Sequence, residues 1–408
     1  MGRINLNPAG CFASWVCYTI VIDVIILSSL MILSTSDLHS ASGLTDPNLI
    51  IFHYEGQDTT SNVGEIITPL GDINSDGYDD IAVSSRSPVG TFLFLGGREK
   101  DAVPDGFWPD YYGAVPPIDL NGDGIRDLII RKPGGGLYFF EGYRDSLAST
   151  PFDSLFSDTI GAYFRFFNRV AYIDDDGYAD LVVLEDGSRQ SIRFYSGCPI
   201  IDKLTDWSFV LSHIWLVSGL TLIDYNGDGH LDICAGINGQ VDTSGYIDIF
   251  FGPDFDSLPN LVLAPPIEQF NIRLRSFPYK VANITDINND GWNDLGVVYV
   301  ADTGGYFPLV YFCGPNADTL PDRALNAEGR IVSAVGDINN DGFDDFACGG
   351  AGSWEGMLFL FLGGPGGDPN FDEIITSDDL PPVFLDDIGY NISNIGDFNG
   401  DGIDDFMF

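Results

Sequence analysis

Asp72-Ile73-Asn74-Ser75-Asp76-Gly77-Tyr78-Asp79-Asp80 carries a nine-residue pattern, D-x-N-x-D-G-x-x-D, that occurs seven times along the chain. The copies are centred on Gly77, Gly124, Gly177, Gly229, Gly291, Gly342 and Gly402, at intervals of 47 to 62 residues. A period of that length marks a stacked or circular repeat architecture. We number the copies loops 1 to 7 and their residues positions 1 to 9.

Oxygen-bearing side chains at positions 1, 3 and 5, followed by Gly at 6 for a sharp turn, suit a hard cation that takes six to eight oxygen ligands. Ca²⁺ is the cation expected, since zinc would call for His or Cys, and neither recurs at these positions. Position 7 would contribute its backbone carbonyl and position 9 a last carboxylate. The candidate ligands are then Asp72, Asn74, Asp76, Tyr78 and Asp80 in loop 1, and Asp119, Asn121, Asp123, Ile125 and Asp127 in loop 2. Loop 3 offers Asp174, Asp176, Tyr178 and Asp180, and loop 4 Asp224, Asn226, Asp228, His230 and Asp232. In loop 5 they are Asp286, Asn288, Asp290, Trp292 and Asp294, in loop 6 Asp337, Asn339, Asp341, Phe343 and Asp345, and in loop 7 Asp397, Asn399, Asp401, Ile403 and Asp405. Up to seven Ca²⁺ sites are implied. Loop 3 departs from the rest: Tyr172 stands at position 1 and Asp174 replaces the usual Asn, which is expected to weaken that site.

An EF-hand is excluded because position 12, where it needs a bidentate Glu, holds Val83, Ile130, Val183, Ala235, Val297, Cys348 and Phe408. Asp, Asn and Gly are also the ordinary residues of a metal-free hairpin turn. Against that reading, a plain turn has no reason to gather carboxylates at the same offsets seven times, because like charges held close destabilise a fold unless something neutralises them.

Each loop is followed by an apolar run, such as Ile81-Ala82-Val83 or Leu128-Ile129-Ile130, that reads as a buried strand. A second recurrent element is an aromatic-aliphatic strand ending in Gly: Leu49–Gly56, Phe92–Gly97, Leu137–Gly142, Ile192–Gly197, Tyr246–Gly252, Leu309–Gly314 and Met357–Gly363. Strand, acidic loop, strand, aromatic strand and a variable return describe a four-stranded meander, and all-β repeats of this length form propeller blades. The fold class expected is all-β, a seven-bladed propeller over residues 48–408. The first aromatic strand precedes loop 1, and no aromatic strand follows loop 7. The termini are therefore expected to share the seventh blade, with Leu49–Gly56 beside Phe406–Phe408, so that no naked edge is left at the seam. Truncation after Phe408 is the competing explanation.

Residues 1–36 read as a signal peptide or an N-terminal membrane anchor. An apolar stretch runs from Cys11 to Leu33, Asp23 interrupts it, and Ser34-Thr35-Ser36 resembles a cleavage site. Cys11 and Cys17 precede the apolar core, which rules out a lipoprotein signal.

Lys plus Arg number 18 against 60 Asp plus Glu, a net charge of −42, and 21 of the acids occupy the candidate ligand positions of the loops. That balance excludes a nucleic-acid partner, which needs a basic surface. Hydrophobic content of 45% and aromatic content of 13% exclude disorder.

The chain resembles the FG-GAP repeat family, the seven-bladed propeller of integrin α-subunits and of many exported bacterial proteins. The resemblance covers residues 48–408 and rests on the Asp-rich loops, with Phe251-Gly252-Pro253, Cys313-Gly314-Pro315 and Leu362-Gly363-Gly364-Pro365 at strand exits. It implies Ca²⁺ in the loops of one face and partner binding by loops of the opposite face.

The remaining residues point to no second chemistry. Of His53, His213 and His230, only the last lies in a loop, where its carbonyl is the ligand. Cys198, Cys234, Cys313 and Cys348 show no zinc spacing and read as buried thiols, one disulfide being compatible with export. Asn283-Ile-Thr285 and Asn391-Ile-Ser393 fit the glycosylation sequon. The functional expectation is a non-enzymatic, secreted or cell-surface, Ca²⁺-binding propeller with a protein or glycan partner and a role in interaction or adhesion. The alternative is a carbohydrate-active enzyme of the polysaccharide lyase kind.

Overall fold

A computed structural model describes residues 29–33, 50–55, 63–97, 103–132, 135–143, 146–147, 150–159, 162–165, 169–174, 176–197, 204–211, 215–239, 245–270, 273–350, 357–376, 389 and 391–408. The export segment through residue 28, Cys198 and His213 lie outside them.

The chain is an all-β propeller in which six four-stranded sheets stand as blades of a ring. The first takes Ile67–Gly71, Asp80–Arg86, Val89–Phe94 and Gly106–Pro109 in chain order. The second takes Ala114–Ile118, Asp127–Arg131, Leu137–Phe140 and Asp153–Leu155, with the small ribbon Gly142–Tyr143 and Ser146–Leu147 inserted before its last strand. Three more begin at Trp215–Ile223, Leu274–Asn283 and Ile331–Gly336. Between the second sheet and the one that begins at Trp215 lies a five-stranded sheet, whose innermost place is shared by two short strands. Tyr163 and Phe164 pair with Asp186 and Glu185, and Arg169–Ala171 pairs with Val182, Leu181 and Asp180.

Strand identity follows from burial. The strand after each loop is covered on both faces, so its residues read as a continuous apolar run: Ile81, Ala82 and Val83 are at most 1% exposed, as are Leu128, Ile129 and Ile130. Seven apolar clusters fill the gaps between neighbouring sheets. Leu70 and Trp108 of the first sheet meet Leu128 and Phe140 of the second, and the series continues round to Val335 and Leu358 against Phe406 and Phe408. The innermost strands touch in cyclic order: Ile67–Gly71, Ala114–Ile118, Arg169–Ala171, Trp215–Ile223, Leu274–Asn283, Ile331–Gly336 and Ser393–Gly396, the last returning to the first.

The termini share the closing sheet, as expected, but the order differs from the expectation in one strand. Ser393–Gly396 and Asp405–Met407 supply the inner half, Ser29–Leu33 comes next, and Ile50–Glu55 lies outermost. The partner of Phe406 is Leu33, not a residue of Leu49–Gly56, and Ile50–Glu55 pairs with Ser29–Leu33 instead. Ser29–Leu33 belongs to the apolar stretch that the sequence alone places in an export segment, so its part in the sheet had no separate signal. Across the seam Ile395, Phe398 and Met407 pack with Ile81, Val83 and Phe94.

No helix among the described residues is long and apolar enough to cross a membrane. Both sequon amides are engaged: Asn283 Nδ2 donates to Leu222 O at 3.3 Å, and Asn391 Nδ2 to Gly64 O and Glu65 O at 3.2 and 3.1 Å. Cys234, Cys313 and Cys348 are free, buried thiols, as read from the sequence.

Asp248 breaks the apolar pattern of Tyr246–Phe250. It is 2% exposed, and burial pushes its carboxyl up to about 7. Between its ordinary value and about 7 the folded state holds a proton that the unfolded chain has released, so this group's contribution to stability falls as pH rises through that window. Asp248→Asn removes the ionisation. It should raise unfolding free energy by about 1–3 kcal/mol at pH 8 and change little at pH 5. Urea melts at the two pH values check this; equal effects at both would contradict it.

Candidate metal centre

Each loop joins an innermost strand to the next strand of its sheet, so all seven lie on one face of the ring. In loop 1 both oxygens of Asp72 accept backbone N–H groups, Oδ1 from Asp76 at 3.0 Å and Oδ2 from Gly77 at 2.9 Å. Asn74 Oδ1 accepts from the Asp76 N–H at 2.9 Å, and Asp76 Oδ1 from the Tyr78 N–H at 3.0 Å. The same wiring of positions 1, 3 and 5 recurs in loop 2 around Asp119, Asn121 and Asp123, in loop 4 around Asp224, Asn226 and Asp228, and in loop 6 around Asp337, Asn339 and Asp341. In loop 5 Asp286 and Asp290 keep their partners, as do Asp397 and Asp401 in loop 7. The position-7 residues Tyr78, Ile125, Tyr178, His230, Trp292, Phe343 and Ile403 are each held through their own N–H by the Asp at position 5.

The backbone explains the residue choices. The Gly at position 6 has φ between 82° and 97° in every loop, while a Cβ there would meet nothing within 4 Å. The requirement is therefore conformational, not one of space. Position 4 is left-handed too, at Ser75, Gly122, Gly227, Asn289, Asn340 and Gly400. The sequence reading passed over that position, although Ser, Asn and Gly there were the signal.

Position 9 does a different job from the others. Asp80, Asp127, Asp232, Asp294, Asp345 and Asp405 are fully buried, as is Asp180. Oδ2 of Asp80 accepts the Ile73 N–H at 3.0 Å, and Oδ1 the Gly96 N–H at 2.8 Å, which ties the loop to the exit of the aromatic strand. Gly142, Gly197, Gly252, Cys313 and Gly363 donate in the same way to Asp127, Asp180, Asp232, Asp294 and Asp345. A Cβ at Gly96, Gly142, Gly197, Gly252 or Gly363 would lie 1.9–2.5 Å from the position-8 carbonyl of the loop, which accounts for the exit glycine. A second set of carboxylates and one Asn caps these exits and was missed from sequence: Asp105, Asp206, Asn260, Asp322 and Asp372 accept the N–H of Leu95, Ser196, Phe251, Phe312 and Leu362 at 2.8–2.9 Å.

Burial, reinforced by the neighbouring carboxylates at positions 1 and 5, pushes Asp80, Asp232 and Asp345 up to about 7, Asp127 to about 6 and Asp294 to about 8, against the pull of the N–H donors. A cation beside these groups would reverse the effect. The donor set fits Ca²⁺: every candidate atom is an oxygen, and Asn288 Oδ1, at position 3 of loop 5, is buried without a hydrogen-bond partner, an acceptor that a cation would satisfy.

Loop 3, which has Tyr172 at position 1, keeps its three other carboxylates together. Among the described residues, Asp174, Asp176 and Asp180 form the one group of three metal-competent side chains whose ligand atoms lie within 4.8 Å of each other. Tyr172, 50% exposed, is close enough to Asp119 and Arg126 of loop 2 to feel their charges. Asp174 takes the place of the usual Asn, accepts the Asp176 N–H at 3.2 Å and receives the Ser196 hydroxyl at 2.6 Å.

Residues 173–235, spanning loops 3 and 4, match the family described as FG-GAP-like repeat. The chain thus carries an FG-GAP repeat and is distantly homologous to integrin α chains. It is 28% identical to integrin alpha-3 of Cricetulus griseus over 141 residues, which is 30% of this chain and 13% of the relative. Integrin alpha-5 of Xenopus laevis is 28% identical over 164 residues, 35% and 15% of the two lengths, and integrin alpha-7 of Mus musculus 34% identical over 113 residues, 25% and 10%. The chain thus matches only about a tenth to a seventh of the length of these relatives.

Asp290→Ala removes the acceptor of the Trp292 N–H at the centre of loop 5. It should lower the number of bound Ca²⁺ by about one and stability by about 1–2 kcal/mol, measured by metal analysis and calorimetry. An unchanged ion count would contradict the assignment of that loop.

Proposed function

We propose that this FG-GAP protein is a seven-bladed, Ca²⁺-stabilised propeller that acts outside the cell as a non-enzymatic binding module for a protein or glycan. The five-stranded sheet counts as a blade with an interrupted innermost strand, which brings the blades to seven and gives each blade one acidic loop. The observation that carries the metal reading is the repeated oxygen wiring of the loops, with Asp174, Asp176 and Asp180 gathered within 4.8 Å. These residues would hold the cation, and its role is to neutralise carboxylates that the fold has drawn together. In this reading no step of chemistry runs through it.

The partner reading is supported by the kinship with integrin α chains, which favours a binding module over the carbohydrate-active alternative. The face opposite the metal loops is the natural docking surface, since its turns carry no share of the loop wiring. It presents exposed Val89 and Tyr163, and Glu65 there joins Arg86 and Tyr112. Screening the purified protein against glycan and matrix-protein arrays with Ca²⁺ present tests this. Retention of a ligand that Tyr163→Ala weakens supports the reading; no retention on either array contradicts it.

A further inference from the structure

The walls of the ring's central channel carry a charge opposite to that of the chain. Each sheet turns the unpaired edge of its innermost strand to the ring axis, so the channel is walled by Ile67–Gly71, Ala114–Ile118, Arg169–Ala171 with Tyr163–Phe164, Trp215–Ile223, Leu274–Asn283, Ile331–Gly336 and Ser393–Gly396. About one residue in seven of the chain is acidic, yet none of these strands contains Asp or Glu, while they carry Arg169, Arg275 and Lys280. Carboxylates gather at the metal-face end instead, where Asp404 Oδ2 accepts the Asn394 amide at 3.2 Å. Half the N–H groups of an edge strand point away from its sheet, so the same walls also present backbone donors.

Arg169 and Lys280, both half-buried, come together across one sheet. Arg169 pairs with Val182, at position 11 counted from the start of its loop, and Lys280 with Val298, at position 13. The innermost strand between theirs is Trp215–Ile223, whose Gly219 stands at the register of Lys280, opposite Gly236 at position 13 of loop 4. A Cβ at Gly219 would lie 2.8 Å from Val281 Cγ2 and 2.9 Å from Val281 N, so the strands close up where no side chain intervenes. Arg169 is near enough for its charge to act on Lys280: burial, and after it that charge, holds the ammonium below its ordinary value, and burial lowers Arg169 as well. Other strands bring hydroxyls to the register of Arg169, since Thr68, Thr221, Ser333 and Ser393 pair with Ala82, Cys234, Ala347 and Met407, each at position 11. The Ser333 and Ser393 hydroxyls donate to the next carbonyl of their own strands at 3.3 and 3.1 Å, contacts that a χ1 rotation can exchange for an anion.

We propose that the central channel is a binding site for a small oxyanion of the sulfate or phosphate kind, held between the Arg169 guanidinium and the Lys280 ammonium. Two desolvated cations side by side repel each other, and a dianion between them reverses that repulsion while offering acceptors to both. Walls of one sign and low dielectric also concentrate the counter-ion. The inference does not rest on the metal reading, because neither cation belongs to a loop.

Equilibrium dialysis of the full chain against ³⁵S-sulfate at constant ionic strength tests this. The wild-type protein should retain one sulfate per chain, displaced by phosphate and not by chloride. Arg169→Met and Lys280→Met should each weaken retention at least about tenfold, the loss of one charge-assisted contact, and Lys280→Gln gives a second neutral replacement should the Met variant fail to fold. Sulfate should raise the melting temperature of the wild type above its value in chloride and leave that of the neutral variants unchanged. No retained sulfate in the wild type, displacement by chloride as readily as by phosphate, or retention that the neutral variants share would overturn the proposal.

Discussion

Chelation of Ca²⁺ should lower the melting temperature of this propeller by about 10 °C. A site held tenfold above its Kd contributes roughly 1.4 kcal/mol, so seven sites contribute roughly 10 kcal/mol. For a domain of this size the unfolding entropy is about 0.8 kcal/mol per degree, which converts that loss to about 12 °C. The effect should grow with pH. Without a cation, the buried position-9 carboxylates hold protons, at Asp80 up to about pH 7 and at Asp294 up to about pH 8. Because these values are raised above the ordinary 3.8, the metal-free fold loses stability as pH rises from that value to about 7 at Asp80 and about 8 at Asp294. Calorimetry with and without EDTA at pH 6 and pH 8 should show the larger drop at pH 8. A melting temperature indifferent to EDTA at both values would mean that the metal is not structural.

The second large effect belongs to the seam. A protein lacking residues 29–55 loses the outer two strands of the closing sheet. Asp405–Met407 then becomes an open edge, with Phe406 and Met407, both fully buried in the ring, next to solvent. Edges of this kind pair with other chains. We expect aggregation at micromolar concentration and a melting temperature at least about 10 °C lower, well beyond the effect of trimming a frayed end. Light scattering that shows a stable monomer with an unchanged melt would mean that the N-terminal strands do not hold the ring shut.

Much of this fold could be read from residues because the constraints repeat. A Gly at φ near 90° in seven loops and an exit glycine pressed against a carbonyl leave the same letters at the same offsets. What escaped has no such imprint. The outermost strands are short, as with Arg323–Ala324, and their sequences vary with the surface they cover. The innermost strand of the five-stranded sheet is broken in two, which no periodicity announces. The place of Ser29–Leu33 in the closing sheet was not read either, because a short apolar run fits a strand and a signal core equally well. In the candidate site, positions 1, 3, 5 and 9 were legible as oxygen donors. The distinct task of position 9, fastening the loop to the next strand, was not, because it depends on an N–H some 15 to 20 residues away.

The central claim is that these loops bind Ca²⁺, and equilibrium dialysis against ⁴⁵Ca²⁺ at millimolar free concentration tests it most directly. The account predicts up to seven ions per chain, and one fewer in Asp290→Ala. A count of zero, or one that Asp290→Ala leaves unchanged, would contradict it.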